Sequence, residues 1–169
     1  MNSLHSRGGP RLDFIWLFEW LDASFIADAA KAYGGVYVVV QTAHLMGLAM
    51  LGGMVIVADL RLLGVLMTGF PISTVVRNAQ RGFNVAIVVL VLSGIFLAGA
   101  VSMKLYYNEM FLAKMIGLGV GILFVYLIRA PLLAREADEL SPWLCRLMGT
   151  ASLVLWFTVA ASGRWIGFS

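Results

Sequence analysis

The sequence predicts an all-α integral membrane protein, a bundle of four transmembrane helices preceded by an N-terminal amphipathic helix in the membrane interface. Three observations predict it. Of the 169 residues, 61% are apolar and 12% charged, about half the charged share of an ordinary soluble domain, so much of the surface must face something other than water. Four apolar runs are each long enough for the roughly 20 residues that cross a bilayer. The cations lie mostly between those runs, where membrane proteins place them. That makes the lipid bilayer the expected partner and gives no sign of a nucleic-acid surface.

The elements follow in order. Residues 1–11 read as a disordered tail. Across 12–34, Trp16, Trp20, Leu21 and Phe25 recur at helical spacing, while Asp13, Glu19, Asp22, Asp28 and Lys31 interrupt too often for a span. An interfacial helix fits this mixture. The same acidic residues break the apolar core that a signal peptide needs, so the segment reads as mature structure. The bundle occupies 35–169. Its first span covers about 36–58 and continues as helix through Asp59 and Arg61 to Leu66. The second covers about 83–103, after a polar stretch from Arg77 to Arg81. The third, about 110–128, is closed by Arg129 and Pro131. The fourth, about 143–163, opens on Ser141 as N-cap with Pro142 at the first helical position. Connections are short, so sequential helices should run antiparallel.

Four spans leave both termini on one side. The loops joining spans one to two and three to four hold Arg61, Arg77, Arg81, Arg129, Arg135 and Arg146. The other side has Lys31, Lys104 and Arg164 near the membrane, with Arg7 and Arg11 in the tail. The balance places the two Arg loops in the cytoplasm and the termini outside. Small residues recur four apart at Ala43/Gly47, Ala49/Gly53, Gly94/Ala98 and Ala113/Gly117/Gly121, a spacing that lets helix backbones approach closely in lipid. No strand precedes Gly117-Leu-Gly-Val-Gly121, so it is no nucleotide loop.

Ionisable side chains at membrane depth are costly and usually face the bundle interior. His44 sits roughly 13 Å along the first span at 1.5 Å per residue, with Gln41 one turn before it on nearly the same face. Lys114 lies a few residues into span three and Arg164 ends span four. By the predicted topology all four share the outer half. A neutral imidazole beside two cations is a place for an anionic ligand, or for a haem b whose iron takes His44 and whose propionates take Lys114 and Arg164. The plain alternative is that His44 hydrogen-bonds a neighbouring helix while Lys114 and Arg164 snorkel to the headgroups. One His cannot supply two axial ligands, so bis-His ligation requires a homodimer.

At the inner end, Asp59 is expected to clamp the first hairpin through an ion pair with Arg77 or Arg81. Arg61 fits less well, because residues two apart do not face each other on a helix. Trp143, Trp165, Tyr37, Tyr106 and Tyr107 fall at span ends and read as interface anchors. The single cysteine, Cys145, forms no intrachain disulfide and reads as a packing or lipid-side thiol. No nucleophile–base pair, paired carboxylates or Cys/His metal spacing stands out.

Four strings, Gln41-Thr-Ala-His44, Ala58-Asp-Leu-Arg-Leu-Leu-Gly64, Tyr106-Tyr-Asn-Glu-Met-Phe-Leu-Ala-Lys-Met115 and Ala161-Ser-Gly-Arg-Trp165, together resemble an uncharacterised family of bacterial four-helix membrane proteins. The resemblance runs from the amphipathic helix onward. It departs at Glu109, where the family pattern has Asn-Pro-x-Phe before its Lys, although Lys114 keeps the matching position. More distantly, His44, the Arg at the far end of its helix and Lys114 resemble the membrane protoporphyrinogen oxidases and the CopD-like copper-resistance proteins. That likeness implies haem or redox chemistry at His44 and Lys114. The further histidines usual in the oxidases are missing, for instance near Tyr126, and the nine Met residues are scattered rather than clustered as soft ligands. The sequence thus leads to a bacterial inner-membrane protein that binds haem or serves redox chemistry through His44. The alternative is a non-enzymatic module: a small transporter, a sensor or an accessory subunit of a larger membrane complex.

Overall fold

A computed structural model describes residues 14–132 and 140–165; the predicted tail over 1–11 and the loop residue Arg135 lie outside them. Among the described residues every regular element is helical. Two short helices, α1 (Ile15–Asp22) and α2 (Phe25–Ala32), lead into the first long helix, α3 (Gly34–Leu62). Then follow α4 (Ile72–Ala100), the short α5 (Ser102–Tyr106), α6 (Glu109–Leu132) and α7 (Pro142–Trp165). The four helices α3, α4, α6 and α7 are long and apolar enough to cross a membrane.

The interfacial segment, expected as one helix over 12–34, is two. Ser24 makes the break: its Oγ donates to Leu21 O at 2.6 Å and accepts from Ala27 N at 3.3 Å, closing α1 and capping α2 in one turn. Helix α3 stops at Leu62 rather than running to Leu66. Gly64 takes a φ of +77°, and its N–H and that of Val65 return to Arg61 O and Leu60 O, the paired bonds of a Schellman end in which glycine avoids a Cβ clash. The polar stretch from Arg77 to Arg81 lies inside α4, which begins eleven residues earlier than expected at Ile72 and ends at Ala100. Asn108 caps α6 by accepting from Met110 N and Phe111 N. Ser141 caps α7 as the sequence predicts, accepting from Leu144 N at 3.3 Å.

Helix α3 is central: it lies against α4 on one side and α7 on the other, and α6 lies against α7. Leu51, Val55, Phe83, Ala86, Leu90, Val125, Trp156 and Val159 form the main core, with Phe83 edge-on to Trp156 at 5.5 Å. A second cluster nearer the inner end holds Ala58, Leu62, Ala79, Met148 and the buried Cys145. Part of the small-residue pattern explains the close crossings. A Cβ on Gly47 would stand 3.2 Å from Val89, on Gly117 2.8 Å from Val159, and on Gly121 2.9 Å from the Trp156 ring. The Ala49/Gly53 pair behaves differently: both residues are exposed, and a Cβ on Gly53 would meet nothing within 4 Å.

Outside the bundle, α1 rests on α5 and α2 on α4. Phe18 packs against Tyr106 and Phe111, and Asp22 Oδ1 accepts from Lys31 Nζ at 2.9 Å and from the buried Ser102 Oγ at 2.7 Å. Trp16, Trp20 and Phe25 are exposed, pointing away from the rest of the protein.

Candidate functional site

Two polar centres lie inside the bundle, one toward each end. In the outer half, His44 projects from the face of α3 that also carries Leu51 and Val55, since residues seven and eleven apart fall near one line of a helix. It reaches α4, where Nδ1 stands 2.8 Å from Ser93 Oγ, and its Cε1 lies 3.5 Å from where a Gly94 Cβ would be. Ser93 fixes the tautomer. Its hydroxyl lies 2.6 Å from Val89 O, and a carbonyl cannot donate, so the single hydroxyl proton points there. Ser93 Oγ therefore accepts from His44, and Nδ1 carries the imidazole proton. The lone pair is left on Nε2, which has no partner among the described residues and is not among the enclosed polar atoms.

Lys114 enters from α6. Its aliphatic stem passes the Cα of Gly163, where a Cβ would sit 3.5 Å from Cδ and Cε, and its ammonium acts electrostatically on His44. Arg164 follows Gly163 and is exposed at the end of the same helix, and Gln41 is exposed one turn before His44. The structure thus sets His44 on Ser93 and Lys114 against Gly163 at one end of the bundle, with Arg164 and Gln41 at the margin. Ser93 carried no signal in the sequence, where a lone serine in an apolar run resembles many others.

One strip of α3 runs through Gln41, Leu48, Gly52 and Asp59. Asp59 is fully buried, but a Cβ on Gly52 would meet nothing within 4 Å, Leu48 is 39% exposed and Gln41 is exposed. The packing that closes over this strip at the inner end is open toward the outer end, beside His44. Helix α6 is also the least enclosed of the four, 11% of its apolar stretch being buried against 28–33% for the others.

In the inner half the expected partner of Asp59 is corrected. Arg77 and Arg81 are exposed on α4; the carboxylate pairs instead with Arg129 of α6, Nη1 to Oδ1 at 3.1 Å, with side-chain exposures of 1% and 0%. Near its end, over Phe124–Arg129, α6 is wound as π-helix. That winding changes which side chains face inward, and it was invisible in a run that reads simply as apolar residues closed by a cation. Arg129 Nη2 also donates to Gln80 Oε1 at 3.3 Å; Gln80 Nε2 donates to Asn84 Oδ1 at 2.9 Å, and Tyr126 donates to the same Asn84 oxygen at 2.7 Å. Arg61 has a different structural role, donating from Nε and Nη2 to Phe70 O and so holding the α3–α4 turn. From α7, Gly149 admits the Asp59 carbonyl to 2.9 Å of a would-be Cβ, and buried Ser152 stands beside the Asp59 side chain.

No group of three or more His, Cys, Asp or Glu side chains converges on a metal position among the described residues. Chemistry in the outer centre therefore rests on one imidazole nitrogen and nearby cations. A sequence-family profile described as a family of unknown function (DUF6644) matches residues 17–169. No curated protein and no solved structure matches the chain.

Proposed function

The chain belongs to this family of unknown function, which lends it no activity, and we propose from its own residues that it is a multi-pass membrane protein binding haem b through His44. The observation that carries this reading is the approach of His44 Nδ1 to Ser93 Oγ at 2.8 Å. A metal-ligating imidazole characteristically donates its other N–H to a fixed acceptor, and here Nδ1–H is committed to Ser93, itself anchored on Val89 O, so Nε2 is presented as a ligand atom. Lys114 supplies a cation for a propionate, and Arg164, at the same end of the bundle, supplies a second. His44 is the one histidine among the described residues, so a second histidine for a bound haem would come from beyond them, as from a second copy contributing its own His44. Bound haem would bring redox chemistry of its own. The chain's part is to hold the iron, neutralise the propionates and exclude water.

Purified full-length protein from haem-replete cells should show a Soret band that His44→Ala abolishes. Lys114→Gln should keep the band and release haem more readily. Wild-type protein that stays colourless even with added haem overturns the reading.

The open strip of α3 through Gln41, Leu48 and Gly52 favours a second reading, an accessory subunit whose outer half is completed by a partner helix. Recovery of a stoichiometric membrane complex, together with colourless protein, would favour it over the first. In either reading the Arg-bearing inner end faces the cytoplasm of a bacterial inner membrane, and the termini face the periplasm.

A further inference from the structure

Three enclosed polar atoms at the inner centre make no well-formed hydrogen bond to the protein: Asp59 Oδ2, Arg129 Nε and Ser152 Oγ. They come from α3, the π-wound end of α6 and α7, and their residues are 0%, 1% and 0% exposed. Arg129 ties the first two together through its bond to Asp59 Oδ1, and Ser152 lies beside the same carboxylate. Buried polar groups are nearly always satisfied, above all where the surroundings are lipid. Rotation of the guanidinium to bring Nε onto Oδ2 is opposed by its other commitments, Nη1 to Asp59 Oδ1 and Nη2 to Gln80.

We infer that Asp59, Arg129 and Ser152 enclose a binding site for an internal water molecule, making the ion pair of the inner half a hydrated one. The donor and acceptor balance selects the ligand. Arg129 repels a cation and Asp59 an anion. A neutral molecule must donate to Oδ2, which can only accept, and accept from Nε–H, which can only donate. The Ser152 hydroxyl does either. Water does both and has the three polar partners an internal water typically uses. The ladder Gln80–Asn84–Tyr126 continues the polar network from Arg129 to the exposed faces of α4 and α6.

The test is a structure of the full chain in lipid nanodiscs at a resolution that shows ordered water. The expected result is a density peak of water strength within hydrogen-bonding distance of Asp59 Oδ2 and of Arg129 Nε or Ser152 Oγ. In Ser152→Ala a second peak should occupy the place of the lost hydroxyl. Direct pairing of the three atoms with no density between them overturns the proposal, as does a peak heavier than water. The wild-type structure decides the question even if the variant fails to fold.

Discussion

Asp59 and Arg129 each hold a charge that the surrounding helices cannot otherwise satisfy, so neither is dispensable alone. Removing one partner of a buried pair leaves the other uncompensated and costs about 3–5 kcal/mol. Asp59→Ala and Arg129→Ala should therefore each destabilise the bundle strongly, as read from unfolding in mixed micelles. The double variant Asp59→Leu with Arg129→Met should cost far less than the two losses together, because no buried charge is left. Equal and additive losses would show that the pair contributes only packing. At the outer centre, Ser93→Ala removes the acceptor that fixes Nδ1–H. Nitrogen NMR of labelled His44 should then report a mixture of tautomers in place of the single Nδ1–H form.

Elements were more legible than residues. The four spans follow from apolar length alone, and the Ser141 cap and short connections follow from local chemistry. The partner of Asp59 was not legible, because it depends on the π-winding of Phe124–Arg129 and on the long reach of the Arg129 side chain from α6 to α3. The small-residue pattern was half legible: spacing shows which glycines could pack, not which ones have a neighbour. That difference gives a paired prediction. Gly121→Val should cost about 1–3 kcal/mol by overpacking against Trp156, whereas Gly53→Ala should stabilise by about 0.5–1 kcal/mol, since nothing opposes the new methyl in a helix interior. The latch that Asp22 of α1 makes with Lys31 and Ser102 supplies another. Hydrogen bonds from Lys31 and then Ser102 hold the Asp22 carboxyl below its ordinary 3.8. A lowered native value means the latch is complete above the ordinary value and is lost as pH falls through the native one. Amide exchange across α1 and α2 should accelerate as pH falls below the ordinary carboxylate value, with the four long helices still protected. Asp22→Asn should give the same acceleration at neutral pH.

Across the whole molecule the two polar centres sit at opposite ends because antiparallel helices alternate direction. The N-terminal parts of α3 and α6 meet the C-terminal parts of α4 and α7, so His44, Ser93, Lys114 and Gly163 share one end while Asp59, Gln80, Arg129 and Ser152 share the other. Orientation in the bilayer then decides which compartment reaches which centre. Among the described residues, the inner end carries Arg61, Arg77, Arg81 and Arg146 besides the buried Arg129, and the outer end Lys31, Lys104 and Arg164, the excess on which the proposed cytoplasmic placement of the inner end rests. Single cysteines introduced at Gly64, in the α3–α4 turn, and at Val101, between α4 and α5, report this directly once Cys145 is replaced by Ala. A membrane-impermeant maleimide applied to intact bacterial spheroplasts should label the Val101 variant and reach the Gly64 variant only after lysis. The opposite pattern would put His44 on the cytoplasmic side, and with it any cofactor that His44 holds.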